Sequence, residues 1–238
     1  MLRDRGGYGC GTVFSVTTTG QETVLHKFAG GSDGAYPLGE LINVKGVLYG
    51  TTSSGGSGGN SNAGNGTVFS ITPAGTEKVL YAFQGGRDGD GPQSGLVYIK
   101  GVLYGTTILG GHDDSNCNYG CGTVYRISTA GAEKVLYRFT GSPDGAFPTA
   151  SLIDVNGMLY GTTGDGGKFC NFTYCGTVFS VTTAGVEEVL YRFLGGTDGW
   201  YPVARLTNVN GTLYGTTDLG GAGTPHMVGE PSSQCRPR

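Results

Sequence analysis

The chain has 238 residues, of which 48 are glycine and only 14% are charged, and its formal net charge is −3. Helical bundles avoid glycine and disordered tails are rich in charge, so this composition excludes both and is typical of a turn-rich β protein. The 15 basic residues are scattered singly, so we expect no nucleic-acid partner. No apolar run approaches the roughly 20 residues that span a bilayer, and we expect no membrane span.

Two short motifs recur along the chain. The motif GTVF or GTVY begins at Gly11, Gly66, Gly122 and Gly176, and LYGTT begins at Leu48, Leu103, Leu159 and Leu213. The intervals between successive starts are identical in the two series. Because two independent motifs keep one period, the chain is predicted to consist of four repeated structural units.

The first unit begins with two predicted strands. Residues 11–17 and 22–28 are rich in β-branched and aromatic side chains and are joined by a short polar turn. A second hairpin is predicted at 41–44 and 47–52, with Lys45-Gly46 at its turn. In the last two units this turn reads Asn-Gly, the strongest short signal for a hairpin. Each unit is therefore predicted to contain four short antiparallel strands.

Long connections separate these hairpins. Residues 29–40 join the two hairpins of the first unit, and the Gly/Ser/Asn stretch 53–65 leads to the next unit. Since successive strands reverse direction, the long connections share one edge of the sheet, where function is expected. A four-stranded meander repeated four times at this interval predicts an all-β fold, a β-propeller of four-stranded antiparallel blades. A solenoid is the alternative, although single-turn solenoid repeats are much shorter.

The consensus P…L…VNGxLYGTT…GG…GTVF.IT.AG.E.VLY.F resembles the Gloeo/Verruco tandem-repeat family, from about Gly11 to Gly221. The resemblance implies a secreted, propeller-like bacterial protein and brings no catalytic residues with it. By analogy with propellers in which a proline opens the innermost strand, the blades are predicted to span 37–83, 92–139, 148–193 and 202–219. Residues 11–28 would complete the fourth blade and close the ring, and 222–238 would form a tail outside the repeat.

The six cysteines fit this closure. Local disulfides are predicted for Cys117 with Cys121 and for Cys170 with Cys175, which lie in equivalent loops just before GTV. A Cys10–Cys235 disulfide is predicted to join the chain ends. Such bridges favour an oxidising compartment, and zinc sites would more typically show paired C-x₂-C motifs. Free buried thiols are the alternative.

The arrangement of the units leaves the assembly open. We favour a closed four-bladed monomer. One alternative is an eight-bladed ring formed by two chains, and another is that the tail begins a truncated fifth unit. We expect a secreted, periplasmic or cell-surface protein. Residues 1–10 lack the apolar core of a signal peptide, so export would need a segment upstream, unless the chain is a truncated frame.

An Asp-Gly pair recurs in the long connection before each proline. It supplies Asp33, Asp88, Asp144 and Asp198. In a propeller these carboxylates would surround the channel mouth, where charges roughly 6 Å apart repel by about 3 kcal/mol and favour a bound cation. Ca²⁺, which takes about 6–8 oxygen ligands, would suit such a ring as a cofactor. The competing interpretation is that each aspartate caps its own turn while glycine adopts a positive φ.

Positions that break the repeat are the better candidates for function. The second unit has Asp90 and Gly91 before its proline, and its long loop contains His112, Asp113 and Asp114. We predict catalytic roles for Asp90, His112 and Asp113, with a solvated polar loop as the alternative. Substrate-binding roles are predicted for Tyr36, Phe147, Trp200 and Tyr201. These aromatic residues could instead fill gaps between blades.

Two functions of different classes fit these residues. One is a calcium-dependent hydrolase of small esters or lactones, such as acyl-homoserine lactones, in which the ion polarises the carbonyl and an acid or histidine activates water. Its support is fold analogy. The other is a non-catalytic propeller that binds a glycan or a surface through aromatic stacking. His26 lies on a strand without a Ser or Cys nucleophile near it in the sequence, so it is assigned no role.

Overall fold

The computed structural model describes residues 9–56, 64–111, 117–170 and 173–221. All of its regular structure, apart from two short 3-10 turns, is β-strand, which confirms the predicted all-β class. The strands form three four-stranded antiparallel sheets, with a two-stranded hairpin before the first and another after the third. Within each four-stranded sheet the neighbours follow chain order, as the repeat predicted.

The N-terminal hairpin and the first two sheets have these bounds. The N-terminal hairpin contains β1 (Thr12–Val16) and β2 (Glu22–Lys27). The first sheet contains β3 (Ile42–Val44), β4 (Val47–Thr52), β5 (Thr67–Ile71) and β6 (Glu77–Ala82). The second sheet contains β7 (Val97–Ile99), β8 (Val102–Thr107), β9 (Thr123–Ser128) and β10 (Glu133–Arg138).

The third sheet differs by an extra hairpin inside its long loop. It contains β11 (Ile153–Val155), β12 (Met158–Thr163), β15 (Thr177–Thr182) and β16 (Glu187–Arg192). The extra hairpin is formed by β13 (Phe169–Cys170) and β14 (Thr173–Tyr174). The C-terminal hairpin contains β17 (Thr207–Val209) and β18 (Thr212–Tyr214). The two 3-10 turns are Gly31–Asp33 and Gly196–Asp198.

The tight turns have the backbone conformation that two-residue hairpins require. Lys45, Lys100, Asn156 and Asn210 have φ between 47 and 56°, and the glycine after each is also at positive φ. Two successive residues at positive φ give a type I′ turn, whose twist matches that of the strands. This confirms the hairpin turns predicted from the Asn-Gly signal and its Lys-Gly variants.

Neighbouring sheets pack through a repeated aromatic contact. The phenylalanine after the outermost strand of one unit meets an aromatic ring on the third strand of the next unit edge-on. The ring centroids are 5.2 Å apart for Phe28 and Phe69, 5.0 Å for Phe83 and Tyr125, and 5.0 Å for Phe139 and Phe179. In each of these pairs the ring on the third strand is completely buried. The apolar core therefore lies between sheets, as in a row of blades.

The innermost strands converge on a narrow axis. A Cβ on Gly39 would lie 2.6 Å from the backbone oxygen of Ser94, so the first and second units touch backbone to backbone. The Ser151 hydroxyl accepts a hydrogen bond from the Gly95 N–H and donates one to Glu40, both at 2.9 Å. Glu40 and Ser151 belong to the first and third units, so those units meet across the axis.

The two end hairpins do not join into a fourth sheet. β1–β2 and β17–β18 are separate two-stranded sheets, so the predicted ring closure is not present in this structure. As a result Phe14 and Val16 are 57% and 58% exposed, whereas Phe69 and Ile71 at the same places in the first sheet are completely buried. The predicted blade boundaries and the number of blades in a closed ring remain predictions.

The cysteines agree with the local part of the disulfide prediction. The Cys117–Cys121 disulfide is present. Cys175 is also in a disulfide, and the side chain of Cys170, its predicted partner, lies outside the described part of the chain. Cys10 has a free thiol in this structure instead of a bond to Cys235, which also lies outside the described residues. The end-to-end Cys10–Cys235 bridge therefore stays a prediction.

Candidate functional site

The recurring aspartate anchors the turn that follows the outermost strand. One carboxylate oxygen accepts a hydrogen bond from a tyrosine hydroxyl on that strand, at 2.8 Å for Tyr81 and Asp88. The other accepts the backbone N–H four residues earlier, at 2.8 Å for Gln84. The same two bonds recur at Asp144 and Asp198. The turn-capping interpretation of the Asp-Gly pair therefore accounts for these contacts.

These contacts do not produce the predicted carboxylate ring. Each carboxylate is held by its own strand, and within the described residues no three of Asp33, Asp88, Asp144 and Asp198 come together as a metal-binding group. Ca²⁺ needs several oxygen ligands around one point, and these aspartates do not provide them. Calcium binding stays a prediction for which these four residues form no site.

A glutamate at the start of the next outermost strand lies against two of the tyrosine–aspartate pairs. Glu133 lies beside Tyr81 and Asp88, and burial, followed by repulsion from Asp88, raises its pKa to about 7. Burial raises the pKa of Glu187 to about 7 as well, next to Tyr137 and Asp144. The Oε1 atoms of both glutamates are buried without a hydrogen-bond partner in the described structure. Burial at this junction therefore favours the neutral form of each glutamate relative to a solvated carboxyl group.

The first of these junctions has a histidine in place of the tyrosine. His26 Nε2 lies 3.0 Å from Asp33 Oδ1 and 3.3 Å from Oδ2. The Ala29 N–H donates to Asp33 Oδ2 at 2.6 Å, which keeps the turn anchor of the other units. Glu77 takes the place of Glu133 and Glu187, and burial is the main cause of its raised pKa. The first junction thus contains a His/Asp/Glu cluster where the next two contain Tyr/Asp/Glu.

Sequence reasoning assigned no role to His26, although the sequence contains the signal. Aligned on the phenylalanine that follows, the outermost strands read LHKF, LYAF, LYRF and LYRF. A histidine in a column of tyrosines breaks the repeat in the same way as Asp90 does. The partners of His26 do not form the sequence pattern of a triad: Asp33 comes from the turn after its strand and Glu77 from the next sheet.

Asp90 pairs with Leu109, which comes shortly before His112 and Asp113 in the sequence. Its backbone forms two hydrogen bonds with Leu109, each 2.9 Å long, and the Gly111 N–H donates to Gly86 at 2.7 Å. The carboxyl group is partly buried, and burial raises its pKa. His112 and Asp113 themselves lie outside the described residues. Asp90 therefore lies beside Leu109. The catalytic roles of Asp90, His112 and Asp113 stay predictions.

The predicted substrate-binding aromatics lie on the long-loop edge in a restricted backbone conformation. Tyr36, Phe147 and Tyr201 have φ of 58, 58 and 60°, and Gly91 takes the same place in the second unit at 67°. Tyr36 and Tyr201 are 55% and 41% exposed, whereas Phe147 and Trp200 are partly buried. The Tyr201 ring lies close to Gly164 of the preceding unit. These rings both fill gaps between units and present aromatic surface.

Consecutive antiparallel four-stranded sheets that pack face to face around an axis define the protein as a propeller-like repeat protein. The chain matches the model of the Gloeobacter/Verrucomicrobia repeat over residues 1–227 and belongs to that family. This confirms the resemblance noted from the repeat consensus.

One solved structure with a similar fold is described as a candidate gluconolactonase, with a TM-score of 0.50 and 17% identity. The match covers 88% of this chain and 65% of that structure, so this chain spans less than two thirds of it. The tricorn protease matches at a TM-score of 0.34 and 13% identity, over 91% of this chain and 25% of that one. No curated protein matches the chain. None of the described helices has the length and apolarity to cross a membrane.

Proposed function

We propose that this protein hydrolyses small esters or lactones on its long-loop edge, with Asp90 as the general base. The observation that carries the proposal is the partly buried carboxyl of Asp90, whose backbone pairs with Leu109, shortly before His112 and Asp113 in the sequence. The corresponding positions hold Ala35, Ala146 and Trp200, so the scaffold does not need an acid there. A carboxyl with a raised pKa in a site that the fold does not require is a functional candidate.

The chemistry that Asp90 can perform is activation of water. Its carboxylate accepts a proton from a water molecule as the water oxygen bonds to the carbonyl carbon of the ester. Collapse of the tetrahedral intermediate breaks the bond to the alkoxy oxygen, which takes up a proton, and a hydroxy acid is released from a lactone. His112 or Asp113 is proposed to deliver that proton.

The lactone class is suggested by the similar solved structure, which is described as a candidate gluconolactonase. At 17% identity the similarity supports the fold only, and the lactone substrate is proposed for this chain by analogy alone. Acyl-homoserine lactones are the proposed natural class for a secreted bacterial protein of this family. Calcium dependence of the hydrolysis is a separate proposal. The four recurring aspartates do not form a Ca²⁺ site, so the ion has no part in the reaction proposed for Asp90.

Asp90→Asn is expected to lower kcat/KM for lactone hydrolysis at least a hundredfold, because the amide cannot accept the proton from water. The exposed Asp218→Asn is the matched control and should keep wild-type activity. Activity is measured on acyl-homoserine lactones and gluconolactone, before and after EDTA treatment and after addition of Ca²⁺. Full activity of Asp90→Asn would remove Asp90 as the base, and activity indifferent to EDTA would remove calcium. No hydrolysis of any lactone or ester by the wild type would overturn the enzyme assignment.

A second candidate function is favoured by the exposed rings of Tyr36 and Tyr201. A non-Gly residue at positive φ is uncommon, and here the backbone directs aromatic side chains to the long-loop edge. Such rings can stack on the faces of sugars, as in a non-catalytic glycan- or surface-binding propeller. Wild-type protein that binds glycans and loses binding in Trp200→Ala or Tyr201→Ala, without hydrolysing lactones, would favour this alternative.

We also propose that the N-terminal hairpin closes the ring by adding to the edge of β18. In the complete sheets an aromatic ring on the third strand covers the glycine of LYGTT: a Cβ on Gly161 would lie 2.7 Å from Phe179 and 2.8 Å from Leu152. Gly215 has the leucine, Leu206, at 2.8 Å but no aromatic ring over it. An open cavity of about 420 Å³ lies there instead, lined in part by Leu213 and Phe193.

The exposed side of β1 fits this cavity in register. In the third sheet Gly161 pairs with Phe179 and Leu159 with Val181. The same register would place Phe14 on Gly215 and Val16 on Leu213. Burial of two large exposed apolar side chains of this kind contributes about 1.5–3 kcal/mol each. The contact between Glu40 and Ser151 across the axis also favours a small ring.

Gly215→Ala is expected to lower the free energy of unfolding by about 1–3 kcal/mol in the closed ring, the same overpacking effect that is expected for Gly161→Ala. If the hairpins stay apart, Gly215→Ala should have little effect while Gly161→Ala remains destabilising, and closure would be wrong. The mass in solution, from light scattering, distinguishes the favoured closed monomer from two chains that form an eight-bladed ring. Peptide mapping of oxidised protein for Cys10 and Cys235 tests the end-to-end disulfide independently.

The Cys117–Cys121 disulfide is typical of proteins that fold in an oxidising compartment. We therefore propose that the protein acts outside the cytoplasm, as a secreted, periplasmic or cell-surface protein. The proposed partners are a small-molecule or glycan ligand, without nucleic acid.

A further inference from the structure

Three ligand-type side chains from separate segments converge between the N-terminal hairpin and the first sheet. His26 lies on β2, Asp33 lies in the connection after it, and Glu77 begins β6. One ligand atom from each lies within 4.8 Å of the other two, and no other such group occurs in the part of the chain that the structure describes. The His26 and Asp33 side chains are 20% and 24% exposed, so solvent and ions reach the cluster.

The repeat shows what is particular to this cluster. In the other junctions the residue facing the aspartate and the glutamate is Tyr81 or Tyr137, whose hydroxyl donates its one proton to the aspartate. Burial and the bonded aspartate raise the pKa of both hydroxyls, so these phenols stay protonated. An imidazole nitrogen in the same place offers a lone pair to a metal ion. A single Tyr-to-His difference therefore converts a structural junction into a set of three ligands.

We propose that His26 Nε2, Asp33 and Glu77 bind one divalent transition-metal ion of the zinc class. The nitrogen ligand favours such an ion over Ca²⁺ or Mg²⁺, which prefer oxygen ligands. Bonds of about 2.0–2.2 Å in tetrahedral geometry place the ligand atoms roughly 3.3 Å apart. His26 Nε2 and Asp33 Oδ1 are 3.0 Å apart, which is close to that spacing. The ion can therefore replace the proton between these two atoms if the side chains move slightly apart. Three protein ligands leave the fourth position to water.

The surroundings hold two of the ligands in place. The Ala29 N–H bonds Asp33 Oδ2 at 2.6 Å and so orients the carboxylate toward the histidine. The His26 ring meets Phe28 edge-on, with centroids 4.8 Å apart. Outer contacts of this kind fix ligand orientation and support metal affinity. A divalent ion bound by the imidazole nitrogen and the two carboxylates displaces their protons and balances the two negative charges. The site shares Asp33 with the predicted calcium ring and uses none of the residues proposed to activate water or deliver the proton, so it can be tested separately from the proposed hydrolysis.

The loss of this site is tested by His26→Tyr, which restores the residue of the other three units and should fold. EDTA-treated protein in a Cys10→Ser/Cys235→Ser background is titrated with Zn²⁺ by calorimetry and with Co²⁺ by visible absorption. We expect wild type to bind one more equivalent than His26→Tyr, and Glu77→Gln to weaken that equivalent at least tenfold. Glu22→Gln, an exposed glutamate on the same strand, is the matched control and should bind as wild type.

The gain of a site is tested by Tyr137→His, which faces Asp144 and Glu187 in the same way. It is expected to bind one equivalent more than wild type, and the double variant His26→Tyr/Tyr137→His should return to the wild-type number. Zn²⁺ should raise the melting temperature of wild type and not that of His26→Tyr, because an ion that binds the native state stabilises it. Wild-type stoichiometry and affinity in both His26→Tyr and Glu77→Gln would overturn the proposal, and His26 would then serve as a replacement for tyrosine at the turn anchor.

Discussion

Phe139→Ala is expected to lower the free energy of unfolding by about 3–5 kcal/mol, the range for deletion of a fully buried phenylalanine. The ring is completely buried between the second and third sheets. Its centroid lies 5.2 Å from Tyr137 in its own unit and 5.0 Å from Phe179 in the next. Removal of the ring therefore leaves a cavity between the second and third sheets. The cost of this cavity adds to the transfer free energy that is lost with the buried ring.

Urea unfolding followed by circular dichroism measures this change. Tyr119→Ala is the matched control, since that ring is 85% exposed and its removal should change the free energy by less than about 0.5 kcal/mol. A separate early transition in Phe139→Ala would show that the sheets unfold one after another, as nearest-neighbour coupling in repeat proteins allows. A cost below about 1 kcal/mol, well under the range for a buried aromatic ring, would contradict the central role of this contact in the packing.

The repeat made most of the fold predictable. GTVF and LYGTT fix where strands begin, and the turn residues between them determine the tight hairpins, because a type I′ turn selects for residues that tolerate positive φ. LYGTT also encodes packing, since Gly161 is glycine to make room for Phe179. These signals for strands, turns and packing lie within a single repeat, so the sequence of one repeat is enough to predict them. Ring closure depends on two hairpins at opposite ends of the chain, and no local signal specifies whether they meet.

The candidate sites were less predictable because they combine residues from neighbouring units. The channel-mouth role of Asp33, Asp88, Asp144 and Asp198 stays a prediction. In the structure each carboxylate accepts the backbone N–H of the residue four positions earlier. Chain order places an aspartate in a loop without giving the direction of its side chain. Glu77 and its equivalents do not break the repeat at their strand starts, and their burial arises only when the preceding unit packs against them. Comparison of the repeats column by column could have found His26.

Glu133→Gln/Glu187→Gln is expected to stabilise the protein at pH 8 by about 2 kcal/mol in total and to have little effect at pH 4. In the native state burial raises the pKa of both carboxyls to about 7, from the ordinary value of 4.5. An acid whose native pKa is raised contributes stability below its unfolded pKa and loses that contribution as pH rises through its native pKa. Wild-type stability should therefore fall between about pH 4.5 and 7. The expected total is less than the full shifts would give, since both side chains are partly solvated.

Glutamine keeps the shape of the neutral glutamic acid and cannot ionise, so the double variant should lack this fall. Its amide can also donate a hydrogen bond to the oxygen of Tyr81 or Tyr137, whose own proton goes to Asp88 or Asp144. Urea unfolding at several pH values from 4 to 8 gives the stability difference between wild type and variant. The exposed Asp218→Asn, which does not contact either glutamate, is the control and should give a pH-independent difference near zero. A constant difference between wild type and the double variant across this range would mean that the junction glutamates ionise normally. The tyrosine–aspartate–glutamate contacts would then be ordinary surface contacts, without the burial that couples each sheet to the next.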